Sequence, residues 1–113
     1  MKLLVNCIFE EFRCILRCFI YEVRLEENLR DEKGKRLAGR LSAGRRIIYI
    51  DNDQCEHEKI KTLIHELAHF LFGSAPEKLI IKIEELLWRR FSRKQKRSLE
   101  KWLPKQIFNS KKK

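Results

Sequence analysis

Apolar positions along this chain follow two rhythms, one helical and one alternating. Residues 3–21 place Leu4, Ile8, Phe12, Ile15 and Phe19 three or four apart, with Asn6, Glu10, Arg13 and Arg17 between them. Side chains so spaced share one face of a helix, which predicts an amphipathic N-terminal helix. Residues 22–30 then alternate weakly through Val23 and Leu25, and "RDEKGK" carries turn chemistry centred on Gly34. A second strand is expected over 35–41 and a turn at "SAG", 42–44. "RRIIYID" at 45–51 is the strongest strand of the chain, β-branched and aromatic. Three short strands joined by tight turns predict an antiparallel meander.

The helical rhythm returns afterwards. Asp51 or Asp53 can cap the next helix, Asp53 and Glu56 have capping-box spacing, and the helix runs to about Phe72, before Gly73. "SAPE" at 74–77 starts another, with Ser74 as cap, Pro76 in the first turn and Glu77 at the box position. It continues to about Phe91. After Ser92 a third, basic stretch reads helical as far as Leu103, where Pro104 stops it. The fold class expected is α+β: N-terminal helix, short meander, motif helix, second helix, basic C-terminal helix. At 113 residues this is one domain, taken as 1–103, with 104–113 as a frayed basic tail and no internal repeat.

Composition sharpens the picture at the ends. Hydrophobic residues make up 43% of the chain, enough for a core, while 37% charged residues demand a heavily charged surface. The formal charge of +10 is not spread evenly: from Leu86 to Lys113 there are eleven Lys/Arg against Glu100 alone, and residues 1–85 hold fifteen of each sign. The whole excess therefore belongs to the C-terminal end. Glu10, Glu11, Arg13 and Arg17 interrupt the apolar N-terminal segment, so it suits neither a signal sequence nor a transmembrane helix, and a cytoplasmic protein is expected. Of four cysteines, Cys7, Cys14 and Cys18 lie along one side of the first helix, where bridging geometry is poor; with Cys55 they are expected to be buried free thiols.

Chemistry concentrates in "TLIHELAHFLFG", residues 62–73. His65, Glu66 and His69 form H-E-x-x-H. Residues four apart stand one turn above each other, so both imidazoles can reach one cation, and Glu66 can hydrogen-bond a water held by it. Thr62, Leu63, Ile64, Leu67, Ala68, Phe70 and Leu71 are all uncharged, so three ionisable groups sit on an otherwise buried helix. Such groups need partners or a metal. Two ordinary surface histidines would be expected among Lys, Gln or Ser.

At this point the sequence resembles the zincin metallopeptidases. "TLIHELAHFL" is similar to their active-site helix, and "AGRLSAGRRIIYID" to the strand and edge-strand region before it. The order of elements resembles the minimal zincin core of small phage- and mobile-element-associated peptidases, the ImmA/IrrE-type group and SprT-like proteins, over roughly residues 20–90. The resemblance implies a zinc-dependent peptidase of a cytoplasmic protein substrate. Zinc would lower the pKa of a water and polarise the scissile carbonyl, with Glu66 as general base passing the proton to the leaving amine.

A catalytic zinc takes three protein ligands, and His65 and His69 supply two. No histidine follows Gly73, which excludes patterns with a third downstream histidine. Glu77, Glu84 and Glu85 are the acidic candidates. The apolar stripe of the following helix centres on Ile80, Ile83, Leu87 and Phe91; Glu77 and Glu84 edge it, while Glu85 sits among Lys78, Lys82 and Arg89. An antiparallel return after the 73–76 turn brings Glu84 level with His65–His69, which favours Glu84 as third ligand, with Glu77, which also has a capping role, as the alternative. His57 reads as an exposed residue. The edge near "LAGRL" can hold an extended peptide, with Ala38 and Gly39 allowing close approach; Tyr49 is the one oxyanion candidate, though it suits sheet packing better.

"WRRFSRKQKRSLEKW" interleaves aromatics with Arg89, Arg90, Arg93, Lys94, Lys96 and Arg97. Either this is a solvated amphipathic face or it binds nucleic-acid phosphates. The competing functions are thus a zincin-like scaffold without turnover that binds nucleic acid through this segment, and a structural zinc protein. The latter is the weakest, because structural sites are usually rich in cysteine and none stands at ligand spacing here.

Overall fold

The computed structural model describes residues 2–104. Four helices and a three-stranded sheet follow one another as α1 (Lys2–Cys18), β1 (Glu22–Glu26), β2 (Gly39–Ser42), β3 (Ile47–Asp51), α2 (Glu56–Leu71), α3 (Glu77–Arg90) and α4 (Arg93–Glu100). The α+β class and the element order are those expected. Of the expected 104–113 tail, residues 105–113 lie outside the described residues. No described helix is long and apolar enough to cross a membrane.

The sheet departs from the expected meander. Its order is β1-β3-β2, with β1 parallel to β3 and β2 antiparallel to it. Burial explains why. Every residue of β3 is buried, so the most apolar strand takes the centre, where both its edges are paired; Gly39-Arg40-Leu41-Ser42 is polar enough for an edge. Residues 27–38 are a long excursion rather than a tight turn. Asn28 and Gly34 adopt left-handed backbone, Asp31 accepts the Lys33 and Lys35 amides at 2.9 and 2.8 Å, and the chain re-enters on the far side of β3.

On one face of the sheet Ile48 and Ile50 meet α2 through Leu63, Ile64 and Leu67, all fully buried, with Ile80 and Leu87 of α3 and Leu99 of α4 closing the core. On the other, Ile47 and Tyr49 pack with Leu29 and Leu37, and Arg40 lies over the Tyr49 ring at 5.0 Å. Tyr49 is thus a sheet-packing residue, on the face away from α2.

The buried face of α1 is Val5, Phe9, Phe12, Ile15 and Leu16, while Leu4 and Phe19 are exposed. Phe9 and Phe12 meet Phe91 edge-on at 5.6 and 6.2 Å, and this aromatic contact selects the buried stripe. The same rotation turns the cysteines outward. All four are free, but Cys7, Cys18 and Cys55 are exposed and Cys14 is half-buried, correcting the expectation of buried thiols.

Candidate metal centre

The site is assembled where α2 crosses β2 and runs alongside α3. Neither expected cap at the start of α2 forms. Asp51 is buried and binds Arg36 at 3.0 Å, Asp53 binds the same guanidinium at 2.8 Å, and Cys55 occupies the cap position without a side-chain bond. Gln54 takes over the junction. Its amide donates to the Ala38 and Asp51 carbonyls at 3.1 and 2.9 Å, and its oxygen accepts the Thr62 hydroxyl at 2.9 Å, tying β2, β3 and α2 together. Sequence reasoning missed Gln54 and Thr62; a lone Gln after an Asx-rich turn carries no pattern to find it by.

Gly39 lies directly beneath this junction. A Cβ there would collide with the Thr62 methyl and come within 3.1 Å of the Tyr49 carbonyl and 3.3 Å of a Glu66 carboxylate oxygen. Only a residue without a side chain lets the strand approach the helix so closely. Gly39→Ala is expected to destabilise the protein by about 1–3 kcal/mol, the usual cost of forcing a methyl into a packed site. Thr62→Ser, which removes the opposing methyl and keeps the hydroxyl bonded to Gln54, should recover much of the loss. Thermal melts of the single and double variants check this, and no recovery would place the strain elsewhere.

His65 and His69 project from α2 with their Nε2 atoms 3.2 Å apart. Glu77 spans them: one carboxylate oxygen is 3.1 Å from His65 Nε2 and the other 2.9 Å from His69 Nε2. Its side chain is free to do so because the expected Ser74–Glu77 capping box does not form; Pro76 is the cap of α3, with no side-chain bond. Glu84 approaches His65 from the opposite side, accepting from Nδ1 at 2.8 Å. Of the two glutamates left open by the sequence, Glu77 therefore joins both Nε2 atoms, and Glu84 joins the other nitrogen of His65. Among the described residues, His65, His69 and Glu77 form a group whose ligand atoms lie within 4.8 Å of one another.

The chemistry of this donor set suits a cation. Donation from Nδ1 to Glu84 leaves the neutral His65 ring with a bare lone pair on Nε2, and that lone pair faces a second Nε2 and a carboxylate oxygen. Three acceptors so placed repel one another unless a proton or a metal lies between them. The Glu84 carboxylate, against the cost of burial, holds the His65 pKa above its usual value. Zinc accepts this combination of two imidazoles and one carboxylate.

Glu66 is buried beside the cluster, 6% exposed, and nothing hydrogen-bonds its carboxylate among the described residues. Burial pushes its pKa up to about 7, with Glu77 and Glu84 adding to the rise and His65 opposing it. An unpartnered buried carboxylate requires a reason, and a reacting proton supplies one. The cleft in front of it, about 300 Å³, is lined by Ala38, Gly39, Thr62, His65, Glu66 and Glu84 among others.

His57, two turns before His65, lies outside the cluster; it is exposed and its ring contacts Trp88 at 5.9 Å. Glu85 is exposed on α3, as its lysine-flanked position implies.

Residues 22–101 match the sequence profile of a peptidase family described as the IrrE N-terminal-like domain. No curated protein and no solved structure gives a significant match. The matched span starts at β1 and includes the whole cluster, whereas α1, which supplies Phe9 and Phe12 to the core, precedes it. With about seven-tenths of its length matched, the site included, the chain belongs to the IrrE N-terminal-like peptidase family.

Proposed function

We propose that this protein is a zinc-dependent metallopeptidase that hydrolyses peptide bonds of a cytoplasmic protein substrate. The observation carrying this reading is the convergence of His65, His69 and Glu77 next to a buried, unpartnered Glu66. Family membership supports the reaction class, and four free cysteines suit a reducing compartment.

His65 and His69, through Nε2, and Glu77 would hold the metal. When bound there, zinc supplies Lewis-acid chemistry, polarising a carbonyl and acidifying a water. Glu84 fixes the tautomer and orientation of His65 by accepting from Nδ1, the usual role of an outer carboxylate on a ligating histidine. Glu66 is the general base: its carboxylate takes a proton from the attacking water and delivers it to the leaving amine nitrogen, so the peptide bond breaks as water adds across it.

The edge of β2 positions the substrate. The Ala38 carbonyl accepts the Asp51 amide at 2.7 Å, and Arg40 stands opposite Tyr49. Hydrogen-bonded pairs alternate along an antiparallel ladder, so Gly39 and Leu41 turn their N–H and C=O groups to the free edge. An extended peptide added there runs past Glu66.

Elemental analysis tests the reading. Protein purified without added metal is expected to carry about one zinc per chain, to cleave a denatured protein substrate, to stop when a chelator strips the metal and to resume when zinc is returned. A chain that takes up no zinc after reconstitution rules out the proposal.

A further inference from the structure

The peptidase reading leaves the +10 excess of the C-terminal end unused. In the structure the described part of that excess gathers around α4. Arg93, Lys94, Arg97 and Lys101, at positions i, i+1, i+4 and i+8, are all exposed and form its outward face. A hollow lies on each flank. One, about 490 Å³, is lined by Lys2, Arg90 and Lys94 together with the polar Asn6, Ser92 and Gln95. The other, about 660 Å³, is lined by Arg93, Lys96 and Arg97 with His57 and Trp88 and with two carboxylates, Glu100 and Glu56, of which Glu56 pairs with Lys59.

None of these cations is neutralised from within the described chain. Among the described residues the ion pairs involve Arg13, Arg24, Arg36, Lys59 and the two site histidines, and none reaches the α4 surface. Lys96 places its ammonium 4.0 Å over the Trp88 ring. Charges left unpaired on three sides of one helix repel each other, and a dense polyanion relieves that repulsion.

We infer that α4 and its two flanks bind double-stranded DNA through its phosphates. A helix with its side chains is about 10–12 Å across, and the major groove of B-form DNA is about 12 Å wide. With α4 against that groove, Lys2, Arg90 and Lys94 face one phosphate strand and Arg93, Lys96 and Arg97 the other. Two features favour duplex DNA over other nucleic acids. Trp88 is already contacted by His57 and Lys96 and Phe91 is buried, which leaves Trp102, 39% exposed just beyond α4, as a single open aromatic ring where a run of single-stranded bases needs several. The deep, narrow major groove of duplex RNA excludes such a helix. Phosphate contacts carry no sequence information, so binding through them is independent of sequence. This inference does not depend on peptidase activity.

The test is titration of the full-length protein into a labelled 20-base-pair DNA duplex of mixed sequence, followed by fluorescence anisotropy at several salt concentrations. Six phosphate contacts give a slope of log affinity against log salt of about −5. The Arg93→Ala/Lys94→Ala/Arg97→Ala variant should bind roughly tenfold or more weakly at low salt, with its slope shallower by about 3. Circular dichroism confirms that its fold is retained. Lys33→Ala/Lys35→Ala, in the excursion between β1 and β2, should bind like the wild type. Duplex RNA of equal length should bind more weakly. Absence of binding at low salt, equal binding by the triple variant, or tighter binding of poly-glutamate than of the duplex at equal charge would each overturn the inference, the last by reassigning the surface to an acidic protein.

Discussion

Glu66→Gln is expected to lower the rate of peptide cleavage by about 10²–10⁴-fold, the usual worth of a positioned general base, while zinc content stays at the wild-type level. The amide has the size of the carboxylate and fits the space beneath Gly39, but it cannot accept the proton of the attacking water. Metal binding should be spared because Glu66 is not among the three proposed ligands, His65, His69 and Glu77. Stability should hold or rise, since a buried carboxylate without a hydrogen-bond donor is exchanged for a neutral group. Three measurements on one preparation therefore separate the possibilities: turnover, zinc per chain and melting temperature. Undiminished cleavage would remove Glu66 from the mechanism. Lost zinc together with lost cleavage would instead make it a ligand.

The same residue shows how far the sequence could be read. His65, Glu66 and His69 were legible because their chemistry is set by local helical spacing, and α2 imposes that spacing whatever surrounds it. The α+β class was legible for a similar reason: each element carries its own periodicity. Sheet order was not, because it depends on which strand is most completely buried, and the 27–38 excursion that sends β2 beyond β3 contains ordinary turn residues. The outward rotation of Cys7 and Cys18 was hidden too. Two apolar stripes compete along α1, and only the Phe9–Phe12–Phe91 contact, spanning some eighty residues of sequence, chooses between them. Lys59 is 3% exposed with Glu56 at 3.5 Å, and no feature of its neighbours marks it for burial.

The two glutamates of α3 illustrate the limit of wheel arguments. Antiparallel pairing of α2 and α3 does bring Glu84 to His65, as its level predicts, but the contact falls on Nδ1. What decides the ligand-facing side is the direction of each side chain at the 73–76 turn, and capping-box spacing at Ser74 and Glu77 concealed that Glu77 is free to swing toward both histidines.

That geometry predicts unequal losses. Glu77→Ala removes one of the three proposed ligands and should leave protein that loses zinc during purification and is inactive as isolated. Glu84→Ala keeps all three proposed ligands and takes away only the acceptor at His65 Nδ1, so zinc affinity should fall by about 10–100-fold, the range typical of such outer partners. Glu84→Gln retains an oxygen able to accept from Nδ1 and should lie closer to the wild type than Glu84→Ala does. Competition of each variant against a fluorescent zinc chelator measures all three affinities on one scale. The reverse order, with Glu84→Ala losing its zinc and Glu77→Ala keeping it, would exchange the two roles and make Glu84 the ligand. Equal, small losses would place the third ligand outside α3 altogether. The ordering carries the information because both variants delete a carboxylate of the same charge close to the same histidine, so general electrostatics alone would weaken both together.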